Sequence, residues 1–308
     1  MSVPPVVDKN KLPKVYREYY NDGATDMISP RDNMTAFDRY KIRPRVLVKI
    51  PEIDTSAELF GSKVTFPLGF SPTALHKLAH PEGELVKCAE AAGYKAIFLT
   101  VDCSVLGIRY NEHRNTFALP DGMAYPNLSP DPSKPFGMGE EYKPNNMEDT
   151  EITWTDAIPR LRSITNMKIW AKGIYTPEDV VLAIEHGVDG IIISNHGGRQ
   201  LDGVPATIDV LRECAPIVEG RIPIAIDGGI RRGSDIFKAL ALGAQHCFVG
   251  RVPLWGLAYN GKEGVELAIQ ILLTELKVTM ALAGCKSIKD ISRSHLATVD
   301  ASGVICKL

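Results

Sequence analysis

The sequence predicts a parallel α/β architecture of about six βα units, and three observations carry that prediction. From about Val64 onward, short β-branched runs alternate with amphipathic segments. In each pair the strand comes first, which is the order of repeated βα units on a parallel sheet. The glycine-rich and charged residues gather at the trailing ends of the strands, where parallel folds place their sites.

In chain order, residues 1–60 stand outside the alternation. LPKVYREYYNDGA predicts a short helix ending at Gly23, and the polar, turn-rich stretch to Leu59 is expected to cap one end of the sheet. The strands follow as TFPLGFS (65–71), KAIFLTV (95–101), KIWAKG (168–173), GIIISN (190–195), IPIAID (222–227) and HCFVGR (246–251). Helical patterns begin at Pro177 (PEDVVLAIEHG), Pro205 (PATIDVLRECAPIVEG) and Ser234 (SDIFKALALG), each closing near a glycine that can take a left-handed cap. Residues 119–153, rich in Pro, Gly, Asn and acidic side chains, are expected to form one long loop. With no second repeat and no boundary inside 64–290, the whole of 1–308 is expected to be one domain.

At 308 residues, 44% hydrophobic and 23% charged, the chain has the composition of a soluble globular protein. Lys+Arg 35 against Asp+Glu 37 leaves a net charge of -2, so no global field would gather nucleic acid or an anionic membrane, and any anion must be held locally. The six cysteines show neither CxxC pairing nor metal spacing, so reduced thiols and no metal site are expected. No apolar leader opens the chain, and no apolar run approaches the roughly 18 residues that a bilayer crossing needs. The final Cys306, Lys307 and Leu308 are similar to a Ser-Lys-Leu peroxisomal address, which sets a peroxisomal location against a cytoplasmic one.

Candidate chemistry sits at the strand ends. Asp227, Gly228, Gly229, Ile230 and Arg231, followed one unit later by Gly250 and Arg251, can hold a phosphate through backbone N–H groups, a helix N-terminus and guanidinium charge. The same glycines would also serve tight strand-to-helix turns. His196 and Arg199 lie three apart in one loop, where a histidine can take a proton near neutral pH and an arginine can grip a carboxylate; a structural hydrogen-bonding role for the histidine is the alternative. Arg109, Lys172 and Asp102 stand at neighbouring strand ends and favour the chemical reading. Asp102 can stabilise a protonated imidazole or simply cap a turn. Lys172 can stabilise negative charge on a bound ring, or form a buried ion pair.

Taken together, YYNDGATD, RPRVL, SPTALHKLAHPEGE, KAIFLTVDCSVLGIRYNEHRNTFALP, SNHGGRQLD, PATIDVL, IDGGIRRGSDIFKALALGA and ISRSHL resemble the FMN-dependent 2-hydroxy-acid oxidases and dehydrogenases, the family of glycolate oxidase, lactate oxidase and flavocytochrome L-lactate dehydrogenase. The resemblance runs in family order from about Leu12 to Leu296. It implies a (β/α)8 barrel with FMN at the C-terminal ends of the strands and oxidation of an (S)-2-hydroxy acid to a 2-oxo acid. It further implies His196 as the base supported by Asp102, with Arg109, Arg199 and Tyr19 holding the substrate. FMN would meet Pro72, Thr73, Ala74, Thr100, Ser194 and Lys172. Its phosphate would meet Asp227, Gly228, Gly229, Ile230, Arg231, Gly250 and Arg251. A small hydroxy acid and O2 or another electron acceptor are the implied partners. The lack of a preceding haem module favours an oxidase, and similar enzymes are often tetramers.

One departure qualifies this. HPEGE at 80–84 passes straight into LVKCAEAAGYKAIFLTVD, where the family interposes two further strands. At about 30 residues per unit, roughly two of eight units are absent, in agreement with the count of about six. The family's serine, glutamine and tyrosine contacts from those strands have no counterpart here. An incomplete barrel must either leave a gap or close under strain, so a non-catalytic truncated or spliced relative is the alternative function.

Overall fold

In the computed structural model, which describes residues 12–72, 90, 92–115 and 153–308, eleven strands fall in chain order: β1 (Lys41–Ile42), β2 (Ala57–Leu59), β3 (Ser62–Val64), β4 (Leu68–Phe70), β5 (Ala96–Thr100), β6 (Lys168–Ile174), β7 (Gly190–Ile193), β8 (Ile224–Ile226), β9 (His246–Val249), β10 (Leu296–Val299) and β11 (Ile305–Lys307). Six of them form one parallel sheet in the order β4-β9-β8-β7-β6-β5. Neighbours in the chain are neighbours in the sheet from β5 to β9, and β4 then pairs with β9. This is the strand order of a barrel, left open between β4 and β5, which are the edges among the described residues. The gap falls between the first and second strands read from the sequence, where roughly two units are expected to be absent. The protein is thus an incomplete barrel, and each of the six predicted strands is present. Five of them end sooner than predicted because the chain turns into loops once it reaches the polar residues, whereas β6 runs one residue further, to Ile174.

The period of two along each strand divides the sheet into two faces. Ile169, Ala171 and Ile174, Ile191 and Ile193, Ile224 and Ile226, and Cys247 and Val249 point into the main core shared with the helices. The opposite positions, Trp170, Ile192, Ala225 and Phe248, join Phe98 and Phe60 in a second cluster on the inner face. Phe60 meets Trp170 edge-on at 5.3 Å, and Phe98 meets Phe248 edge-on at 5.3 Å. One step further along each strand, on the same face, stand Thr100, Lys172, Ser194, Asp227 and Gly250. An apolar floor therefore lies beneath a ring of polar residues.

Eight α-helices accompany these strands among the described residues: α1 (Lys14–Asn21), α2 (Ile28–Thr35), α3 (Tyr110–Arg114), α4 (Trp154–Ile164), α5 (Pro177–Glu185), α6 (Thr207–Val218), α7 (Gly233–Leu242) and α8 (Arg251–Ala283). α5 starts where the sequence predicts, because the Thr176 side chain accepts the Asp179 amide and Pro177 takes the first turn, where its missing N–H costs nothing. α7 stops at Gly243 in the left-handed conformation (φ 117). The N-terminal segment touches both ends of the sheet. The turn of the β2–β3 hairpin supplies Phe60 to the apolar floor, while α2 packs on the loop after β7 at the other end. The expected long loop, bar Thr153, and the HPEGE stretch lie outside the described residues.

Candidate active site

Lys172 is 2% exposed, a cation that water does not reach. Its Nζ donates to Ser194 Oγ at 3.0 Å and lies 3.7 Å from Asp227 Oδ2, which also accepts from Ser71 Oγ at 3.1 Å. Buried charge of this kind persists only with a counter-ion and hydrogen bonds, and Asp227 and Ser194 supply them. Among the described residues, the second oxygen of Asp227, Oδ1, is buried without a partner, and so is Oδ2 of Asp102. Each such atom costs about 1–3 kcal/mol in the folded protein unless another group meets it.

The loop after β7 is held in an uncommon backbone state. His196, Gly197 and Gly198 have φ of 56, 66 and 76 in succession, and for histidine this is a strained, left-handed conformation. It aims the imidazole back over the sheet, with Nδ1 3.0 Å from Asp102 Oδ1, while the His196 amide donates to Ser194 Oγ at 3.1 Å. With Nδ1–H given to Asp102, Nε2 is the nitrogen able to take a proton. Asp102 comes this close because residue 173 has no side chain: a Cβ there would lie 2.6 Å from the Asp102 Cβ, and its φ is +106.

Arg109 and Arg199 meet over one buried carboxylate. Arg109 Nη1 donates to both oxygens of Glu112 at 2.9 and 3.1 Å, and Arg199 Nη2 donates to Oε1 at 3.2 Å. Arg199 also donates to the Tyr19 carbonyl and, at 3.0 Å, to that of Asp22, and its guanidinium lies 4.9 Å from the centre of the Tyr19 ring. Burial, and then the neighbouring Arg109 charge, lower the Arg199 pKa from its ordinary value. The structure thus brings Tyr19, Arg109 and Arg199 together, and His196 with Asp102.

The residues read as a phosphate site are less convergent. Arg251 is half-buried and donates to the carbonyls of Tyr20 (3.0 Å), Gly197 (3.1 Å) and Asp22 (3.3 Å). Burial and then Arg199 lower its pKa to about 10. Arg231 is exposed and donates to the Met34 carbonyl at 3.2 Å, away from Lys172. Ile230 belongs to the main core, Gly228 and Gly229 both have positive φ, and a Cβ at Gly250 would have nothing nearer than Ser71 Cβ at 4.0 Å. Pro72 is exposed, and Thr73 and Ala74 lie outside the described residues.

Comparison with known proteins settles the lineage. The family model of the FMN-dependent dehydrogenases matches residues 8–87 and 83–298. The chain belongs to this family. The oxidase FUB9 of Fusarium oxysporum is 45% identical over 349 aligned positions, covering 96% of this chain and 90% of its own length. A peroxisomal (S)-2-hydroxyacid oxidase of Arabidopsis thaliana, GLO3, is 42% identical and covers 94% of each chain. Among solved structures, mandelate oxidase bound to (S)-2-phenylpropionate superposes with TM-score 0.80 at 30% identity, covering 96% of both chains. The (S)-mandelate dehydrogenase of Pseudomonas putida gives 0.80 at 28%. The FUB9 alignment is longer than the 308 residues of this chain, and the family match breaks at 83–87. Residues of the relatives are therefore missing here at the point where the sheet is open.

Members of this FMN-dependent family are 2-hydroxy-acid oxidoreductases, and the polar ring fits their cofactor. The two orphaned carboxylate oxygens and the buried lysine stand together over an apolar floor, as an amphipathic ring system with polar edges requires. Sequence reasoning passed over Ser71, Glu112, Asn33 and Asp202. Glu112 lies three residues after Arg109 on the helical spacing that lets charges pair, a signal within reach of the sequence. The others act on partners more than 150 residues away and carry no local signal.

Proposed function

We propose that the chain oxidises a small (S)-2-hydroxy acid of the glycolate or lactate type to the 2-oxo acid, with O2 as electron acceptor. The observation that carries this is the joint placement of a carboxylate-backed His196, a paired Arg109 and Arg199, and a buried Lys172 at one end of one parallel sheet. Arg109 and Arg199 hold the substrate carboxylate by parallel N–H bonds. His196 Nε2 takes the proton of the substrate, and Asp102 stabilises the imidazolium. Tyr19 closes the pocket from the N-terminal side. Lys172, Ser194, Thr100, Pro72, Thr73 and Ala74 would line FMN, and Arg231, Arg251 and the backbone of 227–230 and 250 would hold its phosphate. When bound, FMN supplies the acceptor for the electron pair leaving the substrate. The relatives named as oxidases support O2 as the final acceptor. The visible spectrum of the purified protein tests the whole reading: bound flavin that bleaches with glycolate or lactate supports it, and a colourless protein that takes up no added FMN ends it.

A second reading is favoured by the open sheet: a non-catalytic relative that has lost FMN with the missing strands. The same spectrum separates the two. We further assign a peroxisomal address to Cys306, Lys307 and Leu308, supported by the Arabidopsis relatives named as peroxisomal. Cys306 and Lys307 are exposed although paired in β11, and Leu308 packs on the core, so an import receptor must first peel the strand away. Among the described residues no helix is long and apolar enough to cross a membrane. A homo-oligomer completes the proposal, and light scattering tests it.

A further inference from the structure

The loop that carries His196 is fastened to the N-terminal segment through one carboxylate. Asp202, three residues beyond Arg199, accepts from the Ser29 amide at 2.7 Å, the Thr25 hydroxyl at 2.9 Å, and the Asp26 and Ile28 amides at 3.1 Å each. These groups surround the start of α2. The helix has no cap of its own, since Met27 at its N-cap is left-handed (φ 60) and offers no side-chain bond. A side chain from far along the chain therefore satisfies amides that a local Ser or Asp would ordinarily meet. Beside it, Ser29 Oγ donates to the Val204 carbonyl at 3.3 Å and accepts the Val204 amide at 3.1 Å.

The far end of α2 is fastened too. The buried amides of Asn33 and Asn195 exchange hydrogen bonds at 2.8 and 2.9 Å. Asn33 Oδ1 also accepts the Thr207 amide at 3.2 Å, and Asn195 Oδ1 that of Gly198 at 3.1 Å. Between the two fastenings the Ala24 amide donates to the Gly198 carbonyl at 2.8 Å. What lies between them is the strained turn of His196, Gly197 and Gly198, a conformation that persists only where its surroundings fix it.

We propose that Asp202 is a positioning residue: by capping α2 it clamps the N-terminal segment to the His196 loop, so that Tyr19 and the carbonyls of Tyr20 and Asp22 register with Arg199 and Arg251. The consequence for substrate rests on the function proposed above, whereas the clamp itself does not. Hydrogen exchange on the full chain tests it. Replacing Asp202→Ala should speed exchange at the Asp26, Ile28 and Ser29 amides by about tenfold, the scale of a lost helix cap. It should also speed Ala24 and Gly198, which Asp202 does not touch. Loss confined to the three capped amides would make Asp202 a helix cap and nothing more, and would overturn the proposal. Should Asp202→Ala fail to fold, Asp202→Asn keeps one acceptor oxygen and should give a smaller rise at the same five amides; a rise at only three overturns the proposal equally. In FMN-loaded protein, the dissociation constant of propionate, a monocarboxylate that cannot turn over, should rise about fivefold or more in Asp202→Ala, with FMN affinity little changed. A wild type that binds no propionate yet shows the five-amide pattern defeats the functional reading and leaves the clamp standing. Propionate binding with only three amides released does the reverse.

Discussion

His196 shows how far one side chain depends on its neighbours. Its proton-accepting nitrogen is set by the 3.0 Å contact with Asp102, and its direction by a left-handed backbone. His196→Gln keeps a polar side chain but cannot carry the proton, so turnover should fall by about 10²–10⁴-fold while flavin absorbance stays; a variant keeping most of its rate would remove the histidine from the base role. Arg199→Lys should raise KM for the hydroxy acid by about tenfold with a smaller change in kcat, because one ammonium cannot reproduce the paired donors. The pH behaviour follows from Asp202. Partial burial opposes its ionisation, but hydrogen bonds from the Ser29 and Ile28 amides, the Thr25 hydroxyl and the Gly203 amide prevail and hold its pKa at about 2. A folded pKa below the unfolded value of about 3.9 means a contribution fully present above that pH and lost as pH falls towards 2. Acid unfolding monitored by circular dichroism should therefore be shallower between about pH 4 and pH 2 in Asp202→Asn than in the wild type.

At the level of elements, the two faces of the sheet do different work. The apolar floor under the site is built around Trp170, 2% exposed and ringed by Phe60 and Phe98 at 5.3 and 6.0 Å. Trp170→Ala should cost about 3–5 kcal/mol by the loss of buried contacts and the cavity left behind, read as a lower urea midpoint. A cost under 1 kcal/mol would mean that the floor is not closely packed. These strands were legible in the sequence because five isoleucines in β7 and β8, with valine and phenylalanine in β9, form short runs bounded by Gly, Pro and polar residues. The polar ring was legible as well, since it begins where each run ends. The strands β1, β10 and β11 were not: they are two to four residues long, and their identity lies in cross-chain register, Lys41 opposite Ala297 and Ala297 opposite Lys307. The hold of α2 on the His196 loop was hidden for the same reason, because Asn33 and Asp202 look like turn residues until their distant partners are known.

The molecule as a whole is defined by what separates β4 from β5. A full barrel has no free edge, whereas here Phe70 at the end of β4 is 50% exposed and Val101, just past β5, is 37% exposed. The polar ring has the same opening, for Thr100 and Ser71 mark its two ends and the family's contacts from two further strands would lie between them. Stability and cofactor affinity should then have one cause. Inserting the two βα units of the 45% identical fungal relative after Glu84 gives both edges a partner and covers the flank of the apolar floor. If the inserted units contribute about 3 kcal/mol, Tm should rise by roughly 4–5 °C for a chain of this size, since the unfolding entropy is about 2.1 cal/mol/K per residue. FMN affinity should rise by at least about tenfold, because the ring gains donors without new ordering of the existing ones. Scanning fluorimetry and flavin absorbance measure the two separately. A rise in Tm without a gain in FMN affinity would show that the six-stranded sheet already holds the cofactor as well as a closed barrel does, and that the missing strands served closure alone.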